Sequence, residues 1–168
     1  GSGPRVTNYT VAAACLISTQ TGSPLKLQWT REDDNRNDFY RPGGTHEMVA
    51  AVDEQGKVNA WSQRLASGSK YYRRPGMKDE NLWKPELYPN DFPQAMVENF
   101  RLEYFHNTIG LPRGSWRAPA HTVYAFVIES VLDEIAHETG QDALSLRLEL
   151  LGRVEQHPYS SHGADVIT

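Results

Sequence analysis

The sequence predicts an α+β fold, a two-layer sandwich in which a small antiparallel sheet packs against helices. Strand-like alternation and helix-like apolar spacing both occur, and they come in blocks rather than as repeating β-α-β units. A hairpin signal, Asp53-Glu54-Gln55-Gly56, stands between two alternating segments. A long apolar run, Thr122–Ala136, lies near the end of the chain and is followed by Gly140. These observations predict three or four antiparallel strands and three helices. A chain of 168 residues has room for one core, so 1–168 is read as a single α+β domain.

The elements follow in order. Asn8 or Thr7 can cap a first helix whose Val11, Cys15 and Leu16 share a face, with Gly22 and Pro24 to stop it. Leu25, Leu27 and Trp29 alternate with Lys26 and Gln28, the period of a half-buried strand. Thr30, with Asp33 three residues on, opens a short helical turn. Thr45–Val52 and Lys57–Ser67 form the hairpin, with Met48, Ala50 and Val52 on one face of its first strand. Trp61 and Leu65 share one face of the second. The segment 69–93 carries Pro75, Pro85, Pro89 and Pro93 between Tyr71, Tyr72, Trp83 and Tyr88. It reads as a long loop, functional or poorly ordered, its aromatics partly ordered against another surface such as a neighbouring domain. Gln94–Asn99 is read as a helical turn and Phe100–Asn107 as a strand. Two helices follow, Pro119–Thr139 ended by Gly140, and one capped by Asp142 that runs to Leu151. The tail 154–168 has no period and is read as irregular.

Composition excludes several classes of function. Hydrophobic residues make up 39% and charged residues 23%, as in an ordinary globular protein. A formal charge of −4 gives no electrostatic case for binding nucleic acid, and Lys70–Arg74 reads as a surface loop. No apolar run approaches the roughly 20 residues of a transmembrane helix. No secretory signal opens the chain, and Gly1-Ser2-Gly3 reads as an expression remnant. The chain is therefore expected to be soluble, with a cytoplasmic or periplasmic parent. A single cysteine, Cys15, rules out an internal disulfide and is read as a buried small hydrophobe.

The stretch Gly114-Ser115-Trp116-Arg117-Ala118-Pro119-Ala120-His121 is the most informative. A turn carrying one arginine leads through Pro119 into the long helix, and proline suits a first helical turn. The free N–H groups of that turn and the positive end of the helix dipole favour an anion. Arg117 has the fork of donors to grip a phosphate or an electron-rich oxygen. A purely structural loop arginine fits the same pattern.

Other constellations carry little chemistry. Asp33, Asn35 and Asn37 imitate the start of a calcium loop, but Asp38 and Gly44 stand where its glycine and glutamate belong. The histidines show no paired metal spacing. His121 adjoins the Arg117 turn, within reach of a pocket there or simply serving the helix start. Glu129 and Asp133 share a helix face at i, i+4 but lie opposite Ile128, Leu132 and Ile135, as surface acids do.

Arg117-Ala118-Pro119 followed by Glu129–Ala136, and Leu25–Asp34 followed by Phe39-Tyr40-Arg41-Pro42, resemble one family in the same order. It is the molybdopterin-binding large subunit of isoquinoline 1-oxidoreductase and related membrane-linked aldehyde dehydrogenases, of the xanthine oxidase superfamily. The likeness runs from about Arg5 to Leu151 and covers a middle slice of a longer subunit. It implies the same α+β architecture. It also implies that Arg117, Ala118 and Pro119 bind the molybdenum cofactor, that Arg41 faces the substrate pocket, and that no residue here ligates metal.

The chain departs from the family at Ala120, where a glycine is common, and in lacking the glycine-rich segment ahead of Arg5. The family's catalytic glutamate lies beyond this slice, so no catalytic residue is assigned. The resemblance thus implies one wall of a molybdenum hydroxylase that oxidises an aldehyde or N-heterocycle. Its partners would be the remaining segments of the parent subunit and an iron–sulfur subunit. The isolated chain is expected to bind no molybdopterin and to be inactive. The alternative is a non-catalytic assembly or interaction domain of the same ancestry.

Overall fold

A computed structural model describes residues 8–153 apart from Asn90. The residues 1–7, including Thr7 and Arg5, and the tail 154–168 lie outside the described residues. Along the chain run α1 (Tyr9–Thr21), α2 (Arg31–Asn37), β1 (Gly44–Val52), β2 (Val58–Ser67), β3 (Asn99–His106), α3 (His121–Thr139) and α4 (Ala143–Gly152). Short 3-10 turns lie at Asp79–Asn81 and Gln94–Met96. The expected α+β architecture is present, with helices packed on a three-stranded sheet of order β1-β2-β3.

The hairpin forms because its turn is chemically closed. Asp53 accepts from the N–H groups of Gln55 and Lys57 at 3.0 and 2.8 Å, and Gly56 takes φ +80°. This sets an antiparallel register with Ala50 opposite Trp61 and Gly44 opposite Ser67. His46, Met48 and Ala50 then face inward from β1, while Val52 lies beyond a register shift and is exposed. Trp61, Gln63, Leu65 and Ser67 face inward from β2.

The third strand differs from expectation. β3 joins β2 in parallel, with Trp61 beside Phe100 and Leu65 beside Tyr104, so the sheet is mixed rather than wholly antiparallel. The segment between β2 and β3 runs back along the sheet to allow this. In that segment the surface that orders the aromatics Trp83 and Tyr88 is this chain's own core. Leu87 belongs to the core, and Trp83 and Tyr88 lie against it. Arg113 pins its start, donating from Nε to the Ser69 carbonyl at 3.2 Å and stacking 3.9 Å from the Tyr72 ring. A Cβ on Gly68 would come within 2.7 Å of Arg113 Cδ, so glycine there lets the arginine pass.

α3 covers the inner face of the sheet through Tyr124, Ile128, Leu132, Ile135 and Ala136, a stripe at helical spacing. Leu146 and Leu150 of α4 complete the core with Trp61 and Val58. Gly140 at φ +68° ends α3 and hands the chain to Asp142, whose carboxylate accepts from the Ser145 N–H at 2.8 Å. The acids on the outer side of α3 are not idle. Arg147 bridges Glu129 at 2.6 Å and Asp133 at 2.9 Å, tying α4 to α3.

The N-terminal part corrects several expectations. α1 forms, but Asn8 sits in the left-handed region and makes no side-chain cap. Val11, Cys15 and Leu16 are exposed, so Cys15 is not a core residue. Leu25–Trp29 pairs with no strand among the described residues, and Leu25 and Leu27 stay at the surface. Alternation tells which face a strand would bury but supplies no partner to bury it. Thr30 and Asp33 do make the reciprocal cap of α2, at 3.1 Å in each direction. Tyr9 meets Trp29 at a tilt and Phe39 edge-on, and Tyr40 joins this arm to the body through bonds with Pro112 and Gly114.

Candidate functional site

Where the end of β2, the start of β1 and the first turn of α3 meet, they enclose a pocket of about 350 Å³. Arg41, Pro42, Gly43 and Gly44 form one side, and His46 projects from β1. Leu65 and Ser67 come from β2, Glu86 from the segment crossing to β3, and Pro119, Ala120, Val123 and Tyr124 from α3. Glycine at 44 keeps this corner open, since a Cβ there would fall 2.8 Å from that of Ser67.

The two sequence-predicted arginines meet at its edge. Arg41 donates from Nη2 to the backbone carbonyl of Arg117 at 2.8 Å. Arg41 and Pro119 line the pocket, whereas the Arg117 and Ala118 side chains are exposed beside it. Ala118 has φ +50°, an uncommon conformation for a residue with a Cβ. Its carbonyl receives both the N–H and the hydroxyl of Thr122, which fastens the turn to the helix. α3 begins at His121, so Pro119 precedes the helix rather than opening it. His121 turns away from the pocket, with Nδ1 3.2 Å from Asp91 Oδ2 and its ring on Tyr88.

Burial sets the electrostatics. The Glu86 side chain is 6% exposed, and desolvation pushes its carboxyl above the usual range against the opposing Lys70 N–H and the charges of Lys70 and Arg113. Its Oε1 accepts the Lys70 N–H at 2.7 Å. Desolvation lowers the pKa of His46 and keeps its ring neutral. Tyr124 donates to the Glu86 carbonyl at 2.7 Å, and burial raises its pKa strongly. Two buried polar atoms on the pocket wall, Arg41 Nε and Ser67 Oγ, have no hydrogen-bond partner among the described residues. Leaving such a group unpaired costs about 1–3 kcal/mol, so both donors are free to take an acceptor that enters the pocket.

Sequence reasoning missed His46, Ser67, Glu86 and Tyr124. Gln63 and Ser67 carried a readable signal, as polar residues on the same strand face as Trp61 and Leu65. Glu86 lies in a segment without period and carried none. Among the described residues no three His, Cys, Asp or Glu side chains group as a metal site, and no helix is long and apolar enough to cross a membrane.

The chain is 26% identical over 156 residues to a membrane-bound aldehyde dehydrogenase (pyrroloquinoline-quinone) of Gluconacetobacter polyoxogenes, covering 86% of this chain and 20% of that protein. It is 26% identical over 145 residues to the aldehyde oxidoreductase molybdenum-binding subunit PaoC of Escherichia coli K12, covering 80% of this chain and 17% of that subunit. The chain thus spans about a fifth of the length of these curated relatives. No solved structure matches it. The model of the molybdopterin cofactor-binding domain matches residues 1–151, nearly the whole chain, and the chain belongs to that family.

Proposed function

We propose that this chain forms one wall of the molybdopterin site in a molybdenum hydroxylase, with Arg117, Ala118 and Pro119 toward the cofactor and Arg41 toward the substrate. The observation that carries this reading is the bond from Arg41 to the Arg117 carbonyl, which joins two family motifs at the mouth of one pocket. The residues present fit such a group. Arg41 and Ser67 offer unpartnered donors from within the wall, and the donor set suits the oxygen- and phosphate-rich cofactor or an oxygen of its substrate. Arg41 makes no ion pair with an acid among the described residues, so its charge remains available.

Bound molybdopterin would supply the two-electron redox centre. The overall reaction takes an aldehyde and water to a carboxylic acid, two protons and two electrons, and an N-heterocycle is hydroxylated in the same balance. The chain's own residues bind and orient. Leu65, Pro119, Ala120 and Val123 exclude water, while Arg41 holds an acceptor atom of the substrate. The electrons leave through an iron–sulfur partner subunit. The catalytic base and most of the cofactor-gripping loops come from the remaining segments of the parent, so the chain alone is inactive and binds no cofactor tightly.

Co-expression with those segments tests the reading. Restored molybdenum content and substrate-dependent dye reduction support it. An assembled complex that lacks both would favour the non-catalytic assembly domain.

A further inference from the structure

One donor in the pocket is set by residues that do not line it. Gln94 Nε2 donates to Gln63 Oε1 at 2.7 Å, and both side chains are buried. With its oxygen engaged, Gln63 turns its NH2 toward Nδ1 of His46, 3.2 Å away. Tyr124, packed on the His46 ring, gives its own proton to the Glu86 carbonyl. An NH2 group has only hydrogens to give, so Nδ1 must accept, and the proton of a neutral ring must sit on Nε2. Tyr124 stands edge-on to the ring at 5.6 Å and fixes its plane. With Nδ1 engaged by Gln63, Nε2–H is the group that His46 offers to the pocket it lines.

Ser67 is prepared in a similar way. Its backbone carbonyl is held by the Asn107 N–H at 2.9 Å and by the Tyr104 hydroxyl at 3.0 Å. Its own hydroxyl is buried without a partner among the described residues, and so is Arg41 Nε. His46, Ser67 and Arg41 therefore present donors from a largely apolar wall. A carbonyl oxygen, with two lone pairs, can satisfy two of them at once, whereas a ring nitrogen can satisfy one.

We propose that His46, held as the Nε2–H tautomer by the buried Gln63–Gln94 pair, binds a carbonyl oxygen of the substrate together with Ser67, with Arg41 beside them. This rests on reading the pocket as the substrate site. Gln63 and Gln94 are positioning residues, acting through His46.

The test uses the 168-residue chain labelled with 15N-histidine, with benzamide as the carbonyl probe, quinoline as the ring-nitrogen probe and benzoate as the anion. The proposal expects His46 protonated on Nε2 near neutral pH and a benzamide-induced shift at that nitrogen. Ser67→Ala and Gln63→Leu should each weaken benzamide about two- to tenfold and leave quinoline unchanged. Gln94→Leu frees the Gln63 amide to turn over, so the Nδ1–H tautomer should appear; this variant carries the test if Gln63→Leu fails to fold. A wild-type Nδ1–H tautomer would overturn the proposal, as would benzamide binding that ignores His46 and Ser67. Binding of benzoate alone would reduce the site to Arg41 and overturn it too. Molybdenum content of the parent carrying Ser67→Ala separates the two readings. Unchanged metal with unchanged substrate binding sinks this proposal alone, whereas a parent that never takes up molybdenum sinks the proposed function.

Discussion

Arg41 donates to the backbone carbonyl of Arg117 at 2.8 Å across 76 positions of sequence. Because Arg117 contributes its main chain to this bond, truncating its side chain leaves the bond in place. Arg41→Ala removes it. In urea unfolding of the chain, Arg117→Ala should cost about 0.5 kcal/mol or less, and Arg41→Ala about 1 kcal/mol. Equal and large losses would make Arg117 a structural partner instead.

The core rests on the stripe of α3. Leu132 is fully buried against the sheet, so Leu132→Ala should cost about 2–5 kcal/mol of unfolding free energy. Leu144 of α4 is 63% exposed, and its truncation should stay within about 0.5 kcal/mol. Thermal unfolding of the two variants side by side checks the orientation of both helices.

Gly68→Ala probes the link between Arg113 and the segment crossing to β3. The added Cβ would meet the Arg113 side chain at 2.7–2.9 Å, so the arginine must move from its stack on Tyr72. A loss of about 1–3 kcal/mol is expected, with faster hydrogen exchange in 69–93 than in wild type. An unchanged exchange pattern would show that Arg113 does not hold this segment.

Glu86 and His46 give stability opposite pH dependences. The folded Glu86 carboxyl is raised above its ordinary 4.5, so between those values the native state holds more protons than the unfolded one. Its contribution therefore falls as pH rises through that window. The folded His46 is lowered from 6.5, so the unfolded state binds the proton first and stability falls as pH drops from there toward the lowered value. Glu86→Gln should flatten the loss on the alkaline side and stabilise the chain near neutral pH. Denaturant midpoints of both proteins across about pH 4 to 8 measure this.

Much of the fold was legible where a local rule closes on itself. Asp53 and Gly56 define the hairpin turn, Thr30 and Asp33 cap each other, and Gly140 with Asp142 separates α3 from α4. The direction of β3 was not legible, because a strand alternates with the same period in parallel and antiparallel pairs. Leu25–Trp29 and Cys15 failed for a related reason: apolar spacing names a face but not what covers it. Arg117 and Pro119 show in the sequence as a turn at a helix start, whereas Arg41 comes from family resemblance alone. Ser67 and Gln63 interrupt an apolar strand face, which is the trace a buried polar site leaves in a sequence. Glu86 leaves none, since its position is set by the packing of Leu87 and Tyr124 around it.

The central claim is that the Arg117 turn faces the cofactor, and one comparison tests it most directly. In the full parent, Arg117→Ala is set against Arg36→Ala, an exposed position on α2 away from the pocket. Molybdenum content and turnover are measured on the same preparations. The account predicts that Arg117→Ala keeps the fold yet loses turnover by about tenfold or more, with molybdenum reduced or its site impaired, while Arg36→Ala matches the parent. Full molybdenum and parental turnover in Arg117→Ala would contradict it.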